Sequence, residues 1–263
     1  AKYIATGDYE LKDSYTSLLE SLNHSAWHEK INVEVSFINA ESLEKKNPKI
    51  LAELKTLDGI IVPIGWGSRG VEGKIEAIRF ARENKIPYLG LCYGMQLASI
   101  EFARHVANLS DANTQEVDPN TKNPIIHAIP FEGKYQKIKG DGASMRLGAY
   151  DCVLKPGTLA YEIYKKHNAF KNLKQNLISE RHRHRYEFNN AYRQVLEEKG
   201  FIISGTSPDD FFVEMIELPR ETHPFFLATQ AHPEYKSAPL KPHPIFIEYL
   251  KAIWVEKAKK SKK

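Results

Sequence analysis

The heptad Gly90-Leu91-Cys92-Tyr93-Gly94-Met95-Gln96 joins a short apolar run, Ile86-Pro87-Tyr88-Leu89, to a helical-looking stretch, Leu97-Ala98-Ser99-Ile100-Glu101-Phe102-Ala103. Strand, Gly-x-Cys-x-Gly, helix is the order of a nucleophile elbow with cysteine in place of serine. So tight a turn needs residues almost free of side chain two before and two after the nucleophile. Glycine meets that demand, lacking Cβ and tolerating unusual φ and ψ. The Cys92 sulfur would sit at a helix N-terminus, where backbone N–H groups and the helix dipole favour a thiolate. Alone, the motif fits a small buried thiol equally well, since free cysteine is usually buried.

A second signal lies far downstream. Phe225-Phe226-Leu227-Ala228-Thr229-Gln230 reads as a strand and runs into Ala231-His232-Pro233-Glu234. A histidine leaving a strand end can serve as base to a thiol, and a carboxylate two residues on can orient its imidazole. Pro233 is expected to hold the chain extended between them, so that His232 and Glu234 project in a fixed relation. Cys92, His232 and Glu234 together form a candidate triad.

With both motifs in hand, the chain resembles the class I (triad) glutamine amidotransferases. Further segments resemble one branch, the C-terminal glutaminase domains of CTP synthases. They are Tyr9-Glu10-Leu11-Lys12-Asp13, Arg69-Gly70-Val71-Glu72-Gly73-Lys74, Arg79 through Gly90, and Met95-Gln96-Leu97-Ala98 with Ile100 through Arg104. Ser144-Met145-Arg146-Leu147-Gly148 and Glu180-Arg181-His182-Arg183-His184-Arg185-Tyr186-Glu187 also belong to the set. The likeness runs from about Ala5 to Trp254.

The resemblance implies an α/β fold, with a flavodoxin-like, mostly parallel central sheet flanked by helices and an additional β-rich insertion. It implies an oxyanion hole built from the backbone N–H groups of Gly65 and Tyr93. Glutamine would be held by Glu116 at its α-amino group, by Arg185 and the Tyr186 backbone at its α-carboxylate, and by Gln96. The activity implied is hydrolysis of L-glutamine to glutamate and ammonia through a γ-glutamyl thioester. The ammonia would serve a synthase (amidoligase) domain that converts UTP to CTP with ATP and Mg. No cofactor is expected in this domain itself. GTP would act as allosteric activator, partly through Ser144–Gly148, and the full enzyme would be a homo-oligomer.

This chain has no Gly-x-x-x-x-Gly-Lys-Ser/Thr loop, is too short for a synthase domain, and starts at a strand without methionine. It reads as an excised or separately encoded glutaminase part. Two departures from the family bear on the site. Pro63-Ile64-Gly65-Trp66-Gly67 stands where Pro-Gly-Gly-Phe-Gly is expected, and Tyr93 stands where leucine is usual. A β-branched Ile64 resists φ > 0 beside an oxyanion donor, so the loop is expected to be locked, with the hole either formed or broken. Reduced or re-tuned activity is the expectation. The alternatives at this point are another class I amidotransferase, a γ-glutamyl hydrolase, or a degenerate domain that scaffolds or regulates a partner.

Composition constrains the rest. With 263 residues, 42% hydrophobic and 27% charged, the chain can bury one substantial α/β core, placed over residues 1–256. The net charge of +4 is accounted for by Lys257, Lys259, Lys260, Lys262 and Lys263, a flexible Lys-rich tail over 257–263. No basic face is left for nucleic acid, and no apolar run suits a membrane. Two cysteines make no disulfide framework, which suggests a reducing, cytoplasmic setting. Along Arg181–Arg185, strand alternation puts three arginines on one side and two histidines on the other. No cysteine or carboxylate cluster completes a metal set there, so no metal site is expected. Arg146 reads as a loop arginine, in water or facing an anionic partner.

The elements that would carry these residues follow from periodicity. Strands are expected at Tyr3–Thr6, Ile31–Ile38 and Gly59–Pro63, and a helix from an Asp13 cap to about His24. A helix over about Val71–Asn84 precedes the elbow strand and its helix. Strands and loops follow over about Asn123–Glu187, then a helix over Asn189–Lys199. Three short strands lead to His232, and a last helix spans about Pro244–Glu256.

Overall fold

Gly59–Pro63 is a continuous apolar run because its strand is covered on both faces, and the structure shows what covers it. A computed structural model describes residues 12–129 and 145–260. In chain order these form α1 (Thr16–Glu29), α2 (Ala40–Glu44), α3 (Pro48–Leu54), β1 (Ile60–Val62), α4 (Val71–Glu83), β2 (Tyr88–Leu91) and α5 (Tyr93–His105). There follow β3 (Ala112–Thr114), β4 (Asn123–Ala128), β5 (Arg146–Leu154), α6 (Leu159–Lys166), β6 (Leu177–His184) and β7 (Tyr186–Phe188). The last elements are α7 (Arg193–Glu197), β8 (Ile202–Thr206), β9 (Val213–Glu217), β10 (Phe226–Thr229) and α8 (Pro244–Lys260).

Seven strands make one sheet in the order β1-β2-β10-β9-β8-β5-β6, and β3-β4-β7 form a small second sheet. Among the described residues, β1, β2 and β10 are parallel, and the sheet continues antiparallel through β9, β8, β5 and β6. The parallel part carries the candidate nucleophile and base, and the antiparallel part is the β-rich addition. Residues on β2 alternate between two cores. Tyr88 faces a cluster that includes Ile75, Ile78, Leu97, Ile100 and Phe226. Leu89 and Leu91 face Leu22, Ile163, Phe246 and Leu250. Both faces being dry, all four strand residues are apolar. Every residue of α5 from Tyr93 to Ala103 is buried, so it is a core helix. Its one acid in that stretch, Glu101, is met by the Arg82 guanidinium through bonds of 2.9 and 2.8 Å.

Several expected elements differ. The helix predicted from Asp13 starts at Thr16, because a 3₁₀ turn over Lys12–Tyr15 delays the α register. It runs past His24 to Glu29, burying Ser25 and Ala26, and Lys30 ends it at φ 57°. Ile31–Ile38 shows the expected alternation only in its first half, with half-buried Ile31 and Val33 against exposed Asn32 and Glu34; Val35 and Ser36 are both exposed and Ile38 is buried. It forms no ladder among the described residues, because alternation reports burial and not pairing. Tyr3–Thr6 and Gly142–Ser144 lie outside the described residues. Within the stretch read as strands and loops, α6 is a helix whose start depends on a distant residue. Thr158 caps Tyr161 N–H, while the Glu217 carboxylate of β9 accepts from Leu159 N–H (2.6 Å) and Ala160 N–H (3.0 Å). The helix expected over Asn189–Lys199 is a 3₁₀ turn followed by a short α7. The last helix continues to Lys260, so residues 257–260 form its final turn. Lys257 pairs with Asp58 at 2.7 Å and Lys259 with Glu256 at 2.6 Å. None of the helices among the described residues is long and apolar enough to cross a membrane.

Arg146 is the clearest correction. It is neither in water nor open to an anionic partner: it lies on β5, 2% exposed, paired to the Glu214 carboxylate of β9 at 2.7 Å. Its guanidinium sits 4.3 Å from the Tyr150 ring centre and 4.2 Å from that of Phe212. Removing one member of so buried a pair strands the other charge, at a cost of about 3–5 kcal/mol. Arg146→Met is therefore expected to be strongly destabilised in chemical unfolding. Adding Glu214→Leu should recover most of the loss; a double variant no more stable than the single one would contradict a paired role.

Candidate active site

The elbow is built on a backbone conformation that side-chain-bearing residues seldom adopt. Cys92, 4% exposed, sits at φ 52° and ψ −99° between β2 and α5. Neither Gly90 nor Gly94 has positive φ, so they serve by leaving space. A Cβ on Gly90 would stand 2.8 Å from Ala228 Cβ, and one on Gly94 would run into the Val62 carbonyl oxygen. Cys92 N–H donates to Thr229 O on β10 at 2.8 Å, and its carbonyl accepts from Met95 and Gln96 N–H at 3.0 and 3.2 Å. The strained residue, of order 1–3 kcal/mol, is thus clamped from three strands and a helix.

Beyond β10 the chain places His232, fully buried, with its N–H bonded to Arg181 O at 2.7 Å. Its Nδ1 donates to Glu234 Oε1 at 2.7 Å, and the Tyr235 ring stacks on it at 4.8 Å and 11°. Nε2 is buried and makes no full hydrogen bond among the described residues. Its neighbour is Cys92, and the two act on each other. Burial pushes the imidazole down, but the charge and hydrogen-bonding of Cys92, then of Glu234, outweigh it and push His232 up to about 11. The site therefore favours the imidazolium form of His232, with Cys92 and Glu234 on either side of the ring.

Two further groups touch the sulfur. Gln230 Nε2 donates to Cys92 Sγ at 3.5 Å, and Arg183 O lies 3.8 Å away as an acceptor for the thiol. Gln230 is oriented in turn by Gln96, whose Nε2 donates to Gln230 Oε1 (3.1 Å) and to Tyr186 O (2.9 Å). Sequence reasoning missed Gln230. The available signal was its place two residues before His232 at the end of a strand, which turns both side chains toward the same face.

The loop after β1 passes over Tyr93. Ile64 and Gly65 do not have positive φ; the left-handed positions in this loop are Gly67, at φ 72°, and Gly70, at φ 67°. The backbone conflict expected at Ile64 is absent because the reversal falls three residues later, on Gly67. A Cβ on Gly65 would stand 3.0 Å from Tyr93 Cδ1 and 3.3 Å from Lys74 Nζ. The Tyr93 hydroxyl donates to Gly67 O at 2.7 Å, and Gly67 N–H donates to Glu116 Oε1 at 3.0 Å. Lys74 is buried over the Tyr93 ring, 5.1 Å from its centre. Burial lowers its ammonium to about 8 against the pull of Glu116, while burial raises the Glu116 carboxyl against Gly67 N–H and Lys74.

The remaining candidates fall on both sides of β6 and β7. Arg181, Arg183 and Arg185 are exposed, whereas His182 and His184 are buried, as alternation requires. His184 Nδ1 donates to Tyr186 O at 2.9 Å, which leaves its Nε2 to accept from His182 Nδ1 at 3.3 Å. Burial first, then the Arg146 charge, drives both imidazoles well below their ordinary range, so they are neutral. Tyr186 O is thus held from two sides, by Gln96 and His184, next to the exposed Arg185. Among the described residues no group of three or more His, Cys, Asp or Glu side chains could hold a metal ion.

Comparison with known proteins agrees with this geometry. Residues 10–252 match the family model for class I glutamine amidotransferases. The chain is 53% identical over 245 residues to CTP synthase of Caldanaerobacter subterraneus subsp. tengcongensis, covering 93% of this chain and 42% of that protein. It is 50% identical over 252 residues to CTP synthase of Geobacillus kaustophilus, covering 95% and 44%. It therefore spans less than half the length of these relatives. The solved glutaminase domain of Trypanosoma brucei CTPS, with bound acivicin, superposes with a TM-score of 0.82 at 34% identity, covering 96% of this chain and 90% of that one. The chain belongs to the class I glutamine amidotransferase family and has that family's α/β fold.

Proposed function

We propose that this chain hydrolyses L-glutamine through Cys92, His232 and Glu234, and that the ammonia feeds the amination of UTP to CTP in a larger enzyme. The observation that carries the reading is the buried His232, bonded to Glu234 at 2.7 Å and charged by the presence of Cys92. The thiolate attacks the carboxamide carbon. The oxygen that gains charge is received by the N–H groups of Gly65 and Tyr93, the latter free of any partner inside α5 because it opens the helix. Collapse breaks the C–N bond, and the imidazolium gives its proton to the departing ammonia. Neutral His232 then draws a proton from water, which cleaves the γ-glutamyl thioester to glutamate and regenerates the pair.

Glu116 suits the α-ammonium of glutamine, and the exposed Arg185 guanidinium with the Tyr186 backbone suits its α-carboxylate. Gln96 serves through Gln230 and Tyr186 O rather than as a free side chain, since its amide nitrogen is already committed to both. The synthase domain, with its ATP and Mg, lies outside this chain on this reading. GTP is proposed as activator of glutamine turnover, and the buried pairing of Arg146 with Glu214 removes that arginine from its contacts. Ser144 lies outside the described residues.

Glutamate release from L-glutamine, followed with and without GTP, tests the reading directly. Wild-type release should fall at least ~10³-fold in Cys92→Ala, the scale seen when a nucleophile is removed. Equal rates in the two proteins would reject it. A second outcome concerns pH. Glu234 favours the charged form of His232, so Glu234→Gln should let the imidazolium lose its proton at lower pH. Since the imidazolium protonates ammonia, the alkaline limb of kcat should move down by about one unit. An unmoved limb with lowered kcat would make Glu234 a packing residue only.

A further inference from the structure

Gly67 stands at a left-handed turn with both of its backbone polar groups held by side chains, its carbonyl by the Tyr93 hydroxyl (2.7 Å) and its N–H by Glu116 (3.0 Å). Tyr93 is also the first residue of α5, so its own amide opens that helix next to Cys92. One residue therefore ties together two elements that have no sequence neighbourhood, the loop after β1 and the start of α5. Its ring is packed against Gly65, where a Cβ would stand 3.0 Å from Cδ1, and beneath Lys74.

We propose that the Tyr93 hydroxyl is a positioning group. It fixes the distance between the Gly65 and Tyr93 amides, so that both meet the same charged oxygen. This rests on the glutaminase reading, and it gives the second tie on Gly67 a purpose. Glu116 has two claimants, Gly67 N–H and the ammonium of bound glutamine. When the substrate draws on that carboxylate, the hold on Gly67 N–H weakens and the hydroxyl remains. Burial pushes the Tyr93 phenol upward, which keeps it a donor throughout the working range. The hydroxyl acts after binding, on the transition state, so its loss should appear in kcat rather than KM.

Tyr93→Phe removes the hydroxyl and leaves the ring, the amide and Cys92 in place. Three measurements separate positioning from general damage. First, kcat for glutamate release should fall about tenfold, with KM within about twofold, as expected for one lost hydrogen bond that places an oxyanion donor. Second, alkylation of Cys92 by iodoacetamide should be unchanged, because displacement at a saturated carbon develops no oxyanion. Third, amide hydrogen exchange over residues 64–68 should accelerate about tenfold as the turn loosens. Unchanged kcat, or an equal loss of alkylation, overturns the assignment. If the wild-type chain releases no glutamate while Cys92 still alkylates, the glutaminase reading fails, and exchange alone decides the brace. Faster exchange in Tyr93→Phe supports it; equal exchange overturns it.

Discussion

The site depends on one unfavourable backbone conformation, the φ of 52° at Cys92. Without it the chain would run straight from β2 into α5, and the sulfur would have no fixed direction. A non-glycine residue holds such an angle only when its surroundings leave no alternative. Here they come from the parallel strands. β10 accepts the Cys92 N–H at Thr229, β1 offers the Val62 carbonyl against which Gly94 packs with no room for a side chain, and Ala228 closes on Gly90. The register Ile60↔Tyr88↔Phe226 aligns these contacts. It also brings the strand that leads to His232 beside the strand that ends at Cys92, so one alignment supplies both strain and partner.

Electrostatics then sort three buried histidines lying close together. His232 lies between Cys92 and Glu234 and carries charge; burial first, and then the Arg146 guanidinium, keep His182 and His184 neutral. Arg146 is itself matched by Glu214, so the cluster is not a bare positive charge behind the imidazolium. The neutral pair still contributes, because His184 and Gln96 both grip Tyr186 O. From there the line runs through Gln230 to the sulfur. The amides in that line carry no net charge, so they orient the Cys92 sulfur without adding to the positive field around His232.

What could be read in advance divides by how local its cause is. The elbow glycines and the alternation of Arg181–Arg185 were legible because each reflects the geometry of a few consecutive residues; the chain after His232, expected to be extended, is instead a 3₁₀ turn over Pro233–Tyr235. Arg146 was misread, since no pattern around it reveals that Glu214 and Phe212 converge on it from a distant part of the chain. The start of α6 was missed for the same reason: two of its three capping bonds come from Glu217 on β9. Ile31–Ile38 shows the opposite error. Its alternation held only from Ile31 to Glu34, and ladder formation needs a neighbour that a single segment cannot disclose. Gln230 and Lys74 carry no motif of their own, and their relevance comes from what folding places beside them.

Ile64 shows how a local warning can reverse meaning in a tertiary setting. As a sequence feature it opposed a loop that needs left-handed backbone. In the structure the left-handed turn falls on Gly67, and Ile64 and Gly65 lie outside it. A β-branched residue in a conformation it tolerates restricts the alternatives open to the loop, in the unfolded chain as well as the folded one. Donors that stabilise a developing charge are most effective when they need no reorganisation as the charge appears. A stiff residue at the entry to the turn and side-chain ties on Gly67 both act in that direction. The departures from the family pattern at 64 and 93 are therefore better understood together, as a loop held by side chains where glycine would leave the backbone freer.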